Sequence, residues 1–167
     1  ISRSPFTFAS QVHAYSGQMW SASLTLPPMK LTAARQWTAW LTSLRGQYGS
    51  FLLGDTSCCQ ISGTATSASV TGVAGDNTVT VTSNGTILAG DMIQIGSASD
   101  ATLHKVLADQ SGNGSLEIWP ALRKVRTAAA LTLTNAKGAF RLASNEVSWS
   151  VDEANIYGVS FSAVEKI

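Results

Sequence analysis

One segment of this sequence has the apolar spacing of a helix, and it lies in a chain that otherwise alternates as β-strands do. Between residues 32 and 45, Trp37, Trp40, Leu41 and Leu44 recur at i, i+3, i+4 and i+7. That spacing places all four side chains on one helical face. The chain is therefore predicted to be mainly β with one amphipathic helix, an α+β protein.

Both ends of the predicted helix carry residues suited to helix termini. The hydroxyl of Thr32 can cap the first turn, and Gly46 can adopt the left-handed conformation that commonly ends a helix. Just before it, Pro27 and Pro28 end a strand, since neither can donate a ladder hydrogen bond. We expect the helix to span residues 32–45.

Two further alternating runs lie near the end of the chain. Residues 147–151 and 157–163 each alternate apolar with small polar residues, and residues 152–155 between them have the length of a hairpin loop. Another strand pair is expected to join residues 131–133 to residues 140–142. These runs predict the closing strands of the sheet that the helix covers.

The predicted core of this unit consists of large apolar side chains from the helix and the strands. Burial of one indole removes about 150–250 Å² from water, and each Å² contributes about 25 cal/mol. Such side chains would therefore dominate a small core. The predicted core residues are Trp20, Leu24, Trp37, Trp40, Leu41, Leu44, Trp149 and Phe161.

The middle of the chain differs in composition from both ends. Residues 61–75 are rich in Ser, Thr, Ala and Gly, which is typical of a linker or a weak strand. Several short strands separated by turns follow, and together they predict a small barrel over residues 61–128. Residues 1–60 and 129–167 would then form one discontinuous outer domain, since insertions are tolerated where chain ends lie close.

The charge of the chain argues against nucleic-acid or membrane binding. The formal net charge is +1, and charged residues make up 13%, about half the usual fraction of roughly 25%. Long-range attraction to phosphate or to an anionic membrane is therefore not expected. The densest basic group is Arg123, Lys124 and Arg126, which we interpret as a solvated strand end. No apolar run approaches the ~20 residues that cross a bilayer.

No motif predicts catalysis, a cofactor or a metal site. The histidines His13 and His104 are the candidates for a hydrolytic base, but neither lies in a recognisable catalytic context such as G-x-S-x-G. The adjacent carboxylates Asp152 and Glu153 fall in the predicted hairpin loop. The neighbouring Cys58 and Cys59 are interpreted as two thiols, because a disulfide between neighbours is strained. The chain is predicted not to be an enzyme.

Several segments resemble tail-tip proteins of long-tailed, siphovirus-like bacteriophages. The resemblance spans most of the chain and rests on framework residues. These are the Leu-Pro-Pro-Met of residues 26–29, the helix with its Leu-Arg-Gly at 44–46, Phe-Leu-Leu-Gly-Asp at 51–55, Leu-His-Lys-Val at 103–106, Glu-Ile-Trp-Pro-Ala-Leu-Arg at 117–123, and Tyr-Gly-Val-Ser-Phe-Ser-Ala at 157–163.

The family that these segments resemble is the distal tail protein. The resemblance implies that residues 1–60 and 129–167 form a tail-tube-like β-sandwich or split barrel, and that the barrel inserted at residues 61–128 is of the oligonucleotide-binding type and faces outwards. It also implies a ring, expected to be hexameric, between tail tube and hub. The implied partners are the tail tube protein and hub or baseplate proteins, with the tape measure protein and side fibres as further partners and DNA only in transit. The implied location is the tail tip of the virion, after assembly in the cytoplasm of the bacterial host.

Two other functions stay open at this point. A carbohydrate-binding or receptor-binding β module would need Trp119 or Tyr15 exposed beside polar side chains. A hydrolase would need His104 or His13 within hydrogen-bonding distance of a Ser or Asp in a cleft.

Overall fold

The computed structural model describes residues 2–3, 8, 10–11, 17–55, 57 and 59–167. In these residues the protein is mainly β with one α-helix, as predicted, and combines a sheet with a closed barrel. The elements are β1 (Ser2–Arg3), β2 (Ser10–Gln11), β3 (Ser21–Thr25), β4 (Met29–Lys30), α1 (Leu31–Ser43), β5 (Phe51–Leu53), β6 (Ala68–Gly72), β7 (Thr78–Ser83), β8 (Thr86–Ile87), β9 (Met92–Ile95), β10 (Thr102–Val106), β11 (Gln110–Ser111), β12 (Gly114–Trp119), β13 (Arg126–Thr132), β14 (Gly138–Leu142), β15 (Trp149–Val151) and β16 (Ile156–Glu165). Two 3-10 turns cover Gly46–Tyr48 and Ala98–Asp100.

The sheet is built around β16, the longest strand described. On one side β16 pairs with β3 and then β4, and on the other side with β14 and then β15; β5 pairs with the outer edge of β14. All of these pairs are antiparallel. Leu24 lies opposite Phe161 and Ala22 opposite Ala163, so the alternating apolar residues of β3 and β16 share one face.

Helix α1 begins and ends slightly before the predicted bounds. Lys30 occupies the N-cap position without a side-chain hydrogen bond, so the prediction that Thr32 caps the helix was wrong. The reason is that Lys30 is paired with Ile156 in the sheet, and the chain passes from strand into helix without a loop. After the helix, Arg45 and Gly46 both have positive φ angles, 53° and 67°.

The helix packs on the apolar face of the sheet near the middle of β16. Leu41 and Leu44 are buried against Leu142 and Val159. The Trp40 ring meets the ring of Phe51 edge-on at 5.1 Å, between ring centroids. These contacts join the helix to the next strand in the chain, β5, and to the distant strands β14 and β16.

Six strands close into a barrel in the order β10-β12-β7-β6-β13-β9. One strand comes from the segment predicted to be a linker or weak strand, since residues 68–72 form β6 and Val70 is fully buried. The barrel core contains valine, isoleucine and leucine side chains from every strand of the barrel. The whole barrel lies in the chain between β5 and β14.

The expected pairing of residues 131–133 with residues 140–142 was wrong. Strand β13 pairs with β6 and β9 inside the barrel, whereas β14 belongs to the sheet. Leu131 and Leu133 are buried in the barrel core, and this burial keeps β13 there. Strand β13 therefore runs through the predicted domain boundary at residue 128.

The predicted hairpin loop at residues 152–155 is confirmed. Strand β15 ends at Val151 and β16 begins at Ile156, and the two strands pair in antiparallel register. An Oδ1 atom of Asp152 accepts a hydrogen bond from the Ile156 amide at 2.8 Å. The carboxyl of Asp152 therefore stabilises a turn.

Candidate functional site

The most polar buried region of the described structure lies where the barrel meets the sheet. Arg123, which follows β12, forms an ion pair with Glu165 at the end of β16, with Nη2 and Oε2 2.7 Å apart. The two side chains are 12% and 1% exposed. The Nη2 group of Arg123 also donates to the Gln18 carbonyl at 2.5 Å. This cluster of Gln18, Trp20, His104, Arg123 and Glu165 is called the junction cluster below.

Trp20 connects the sheet to the barrel within the junction cluster. Its indole N–H donates to the Leu103 carbonyl of β10 at 2.8 Å, and its backbone amide donates to Oε2 of Glu165 at 3.2 Å. Its ring meets the ring of Trp119 edge-on, with centroids 4.5 Å apart. Trp20 thus contacts both the sheet and the barrel, and does not belong to the core of either one alone.

His104 is fully buried on β10 beside this contact. Its Nδ1 lies 2.7 Å from the Pro120 carbonyl and its Nε2 lies 2.9 Å from the Thr102 hydroxyl. Since a carbonyl can only accept, Nδ1 carries the proton of the neutral ring. Burial lowers the pKa of His104 to about 4, and the nearby Arg123 acts in the same direction.

This geometry gives His104 a structural position rather than that of a general base. Both ring nitrogens have hydrogen-bond partners inside the protein, and neither partner is a Ser or Asp side chain. The second histidine, His13, lies outside the described residues. Among the residues that are described, no group of three His, Cys, Asp or Glu side chains is placed to hold a metal ion. No helix in the described part of the chain has the length and apolar character needed to cross a membrane.

The interpretation of residues 123–126 as a solvated strand end was wrong for both arginines. Arg123 is in the junction cluster, and Arg126 pairs with Asp100 at 2.8 Å with its side chain 15% exposed. Lys124 is the solvated member, 67% exposed, and also contacts Asp100. Lys124 and Arg126 hold the pKa of Asp100 below its ordinary value, through the hydrogen bonds that they donate and through their positive charges.

The predicted core residues occupy three different environments. Leu41 and Leu44 are buried, whereas Trp20, Leu24, Trp40 and Phe161 are half-buried. Trp37 is 37% exposed and packs edge-on against Trp40. For Trp149 the prediction was wrong, since this residue is 57% exposed. The reason is that β15 is an outer strand near the end of the sheet, beyond the part that α1 covers.

An apolar groove crosses the sheet between α1 and the barrel. It consists of two adjoining recesses of about 500 and 370 Å³ that share Leu24 and Leu53. Trp37 and Trp40 line the helix end, and Leu103 lines the barrel end. The polar side chains in the lining are Gln36 and Asp55, since the register of Ser21 with Val164 places its side chain on the opposite face of the sheet. Their separation leaves the groove without the convergent polar groups typical of a small-molecule site.

The opposite face of the sheet is covered by short hydroxyl side chains. Ser162 lies opposite Ser23 and Ser160 opposite Thr25, and all four residues are exposed. The Ser23 and Ser162 hydroxyls are 3.3 Å apart. We call this surface the hydroxyl face; it also includes Ser21 and Ser150. Arg141 of β14 shares it, by its register with Val164.

Sequence analysis did not find the junction cluster. One signal was present: Glu165 continues the alternation of Val159, Phe161 and Ala163, which places a carboxylate on the apolar face. Its partner Arg123 lies 42 positions away in the chain, and no local pattern joins the two.

No family model matches this chain. No curated protein matches it either. Cys58 and Tyr15 lie outside the described residues, so the predictions that involve them stay predictions. Trp119, the other candidate for glycan stacking, is half-buried, and its ring meets the ring of Trp20 edge-on.

Proposed function

We propose that this chain is a structural virion protein that forms a ring, expected to be hexameric, at the distal end of a bacteriophage tail. In that ring it would connect the tail tube to the hub or baseplate, as the resemblance to distal tail proteins implies. The proposal assigns it no catalytic role. The feature that supports it best is the hydroxyl face, together with the barrel attached on the other side of the same sheet.

The hydroxyl face has the chemistry that the wall of a DNA channel needs. Ser23, Thr25, Ser160 and Ser162 are short, neutral and exposed. A strongly basic wall would bind phosphates and retard DNA, whereas an acidic wall would repel it. An exposed face of a monomeric protein more commonly carries interspersed charges for solubility. The neutral, hydroxyl-covered centre of this face therefore suits the inner surface of a ring, and Arg141 and Lys30 are the cations that share the face by register.

The junction cluster supports an architectural role. Arg123, Glu165 and Trp20 fix the barrel to the sheet through buried, directed hydrogen bonds, which favour one relative orientation. A ring subunit with an outward-facing barrel needs such a fixed attachment. The fully bonded His104 supplies no free base next to it.

The test is electron microscopy of the chain expressed alone and together with the proteins encoded beside its gene. We expect closed rings with sixfold symmetry in one or both preparations, stacked on tube or hub proteins where these are present. A chain that stays monomeric at high concentration and joins no tail particle would contradict the proposal.

A second candidate function is recognition of a glycan or another receptor, and one observation favours it. Trp149 is exposed and lines a recess of about 280 Å³ together with Thr25, Ser148, Ser150 and Ser160. An exposed indole beside hydroxyl groups can stack on a sugar ring and hydrogen-bond to it.

For this candidate, we expect glycan binding to be lost in Trp149→Ala without loss of stability, because the exposed indole makes few buried contacts. A glycan array with the purified chain provides the measurement. The control is Trp37→Ala, which removes another exposed indole, one that packs edge-on against Trp40 and does not line this recess. An array without hits, or equal binding by Trp149→Ala, would exclude the candidate.

A further inference from the structure

Basic and acidic residues are separated into two segments of the chain. One segment contains α1, and the other contains the β15–β16 hairpin. Every charged residue between positions 17 and 54 is basic: Lys30, Arg35 and Arg45. Every charged residue between positions 143 and 164 is acidic: Glu146, Asp152 and Glu153. The basic residues lie at the ends and on the surface of α1, and the acidic ones lie before and within the β15–β16 hairpin.

None of these six charges has an opposite charge as a partner in the described structure. All six residues are exposed, and the ion pairs of the described residues involve only Asp100, Arg123, Lys124, Arg126 and Glu165. Lys30 lies opposite Ile156 in the sheet, next to the hairpin, yet it forms no ion pair with the hairpin carboxylates. The two complementary surfaces therefore stay unmatched within one copy.

The basic surface follows one flank of α1: Arg35 lies within the helix, and Lys30 and Arg45 lie just beyond its two ends. Leu31, Arg35, Thr38 and Thr42 follow one another at i, i+4, i+7 and i+11, which places them in one row. The Thr38 hydroxyl donates to the Ala34 carbonyl at 2.9 Å and the Thr42 hydroxyl to the Thr38 carbonyl at 2.8 Å. Because their donors are satisfied within the helix, these threonines can be covered by another surface at little cost.

The acidic surface carries exposed apolar side chains beside its charges. Trp149 is 57% and Val151 48% exposed on one face of the hairpin, and Ile156, 40% exposed, lies on its other face by register. Leu31 on the helix flank is 40% exposed. Interface cores combine aromatic and apolar side chains with a charged rim; the hairpin has that composition, and the helix flank offers Leu31 beside Arg35.

We propose that the acidic β15–β16 hairpin of one copy docks against the basic flank of α1 of a second copy. The inference rests on the proposed ring and names the surfaces through which its neighbours would touch. Charge complementarity selects a second copy as the partner, since one chain carries both halves. Each copy uses its hairpin once and its helix flank once, so the contact is heterologous, the kind that closes a ring.

The experiment uses two charge-reversal variants of the full chain. The first, Arg35→Glu with Arg45→Glu, makes the helix flank acidic; the second, Glu146→Lys with Glu153→Lys, makes the hairpin basic. Self-association is measured by analytical ultracentrifugation at low and high salt. For the wild type we expect self-association that weakens as salt increases.

Each variant alone should dissociate at least about tenfold more readily than the wild type, because like charges then face each other. A mixture of the two variants should associate again, because the acidic flank of one matches the basic hairpin of the other. A contact within one chain could not produce that rescue. Lys105→Glu reverses an exposed cation on the barrel and should leave association unchanged.

Three results would overturn the inference: a wild type that is monomeric at low salt, reversals that leave association unchanged, or a mixture that does not associate. If both reversal variants still form rings, the proposed docking surfaces are wrong and the proposed ring function stands. Rescue in the mixture without any ring, alone or with tail proteins, would keep the docking surfaces and remove the ring function.

Discussion

Replacement of Arg123 by alanine is expected to lower the free energy of unfolding by about 3–5 kcal/mol. The change leaves the Glu165 carboxylate, 1% exposed, without the cation that neutralises it. It also removes the donor to the Gln18 carbonyl. Desolvation of an unpaired charge costs far more than the loss of one hydrogen bond between exposed groups. Chemical denaturation at neutral pH measures the change.

The control for this prediction is a solvated ion pair in the same segment. Lys124 contacts Asp100 with 67% of its side chain exposed, so Lys124→Ala should cost at most about 1 kcal/mol. A double variant, Arg123→Met with Glu165→Leu, should recover much of the loss, because it removes both charges together. If Arg123→Ala and Lys124→Ala lower the free energy of unfolding by equally small amounts, the buried Glu165 carboxylate does not need Arg123 to neutralise it.

Acidification from pH 7.5 to pH 4 should destabilise the protein by about 3 kcal/mol through His104 alone. Burial lowers the pKa of His104 to about 4 in the folded state, whereas an unfolded histidine titrates near 6.5. Between those values the unfolded chain binds the proton and the folded chain does not. Stability from this residue is therefore complete above about pH 6.5 and is lost as the pH falls towards 4.

The measurement compares the wild type with His104→Gln across this pH range. The variant keeps every other titrating group, so the difference between the two stability curves isolates His104. We expect the variant to be less stable than the wild type at pH 7.5, because the Pro120 carbonyl and the Thr102 hydroxyl lose their hydrogen bonds to the imidazole ring. On acidification, however, the variant should lose less stability than the wild type. Parallel curves would contradict the assignment of a buried neutral ring. Asp100, whose pKa is lowered by Lys124 and Arg126, contributes only at more acidic pH.

The features that could be predicted are those that depend on residues close together in the chain. The helix follows from four apolar residues within eight positions, and the 152–155 loop follows from alternation on either side of it. The short strands β7, β9, β10 and β12 of the barrel could also be predicted from their alternation and turns. Each of these predictions rests on the spacing of apolar residues and on turn residues, which are properties of short segments of the chain.

The features that could not be predicted depend on which elements meet. Strand β13 looked like a partner of β14, but its leucines are buried in the barrel, and no local pattern distinguishes the two arrangements. Trp149 alternates as a core residue does, yet its strand extends beyond the helix that would have covered it. Alternation shows that the two faces of a strand differ in polarity. It does not show whether another element covers the apolar face.

The sequence by itself determined the α+β composition of this protein, the position of its helix, the closing hairpin and the segregation of basic from acidic residues. Only the tertiary structure decided which groups are desolvated together. Glu165 and His104 come from two separate strands and Arg123 from the segment after β12, and none of the three would need a partner if it were solvated. Burial of a charge, and the need for a partner that follows from it, is a property of the packed molecule, because it depends on neighbours that are distant in the chain.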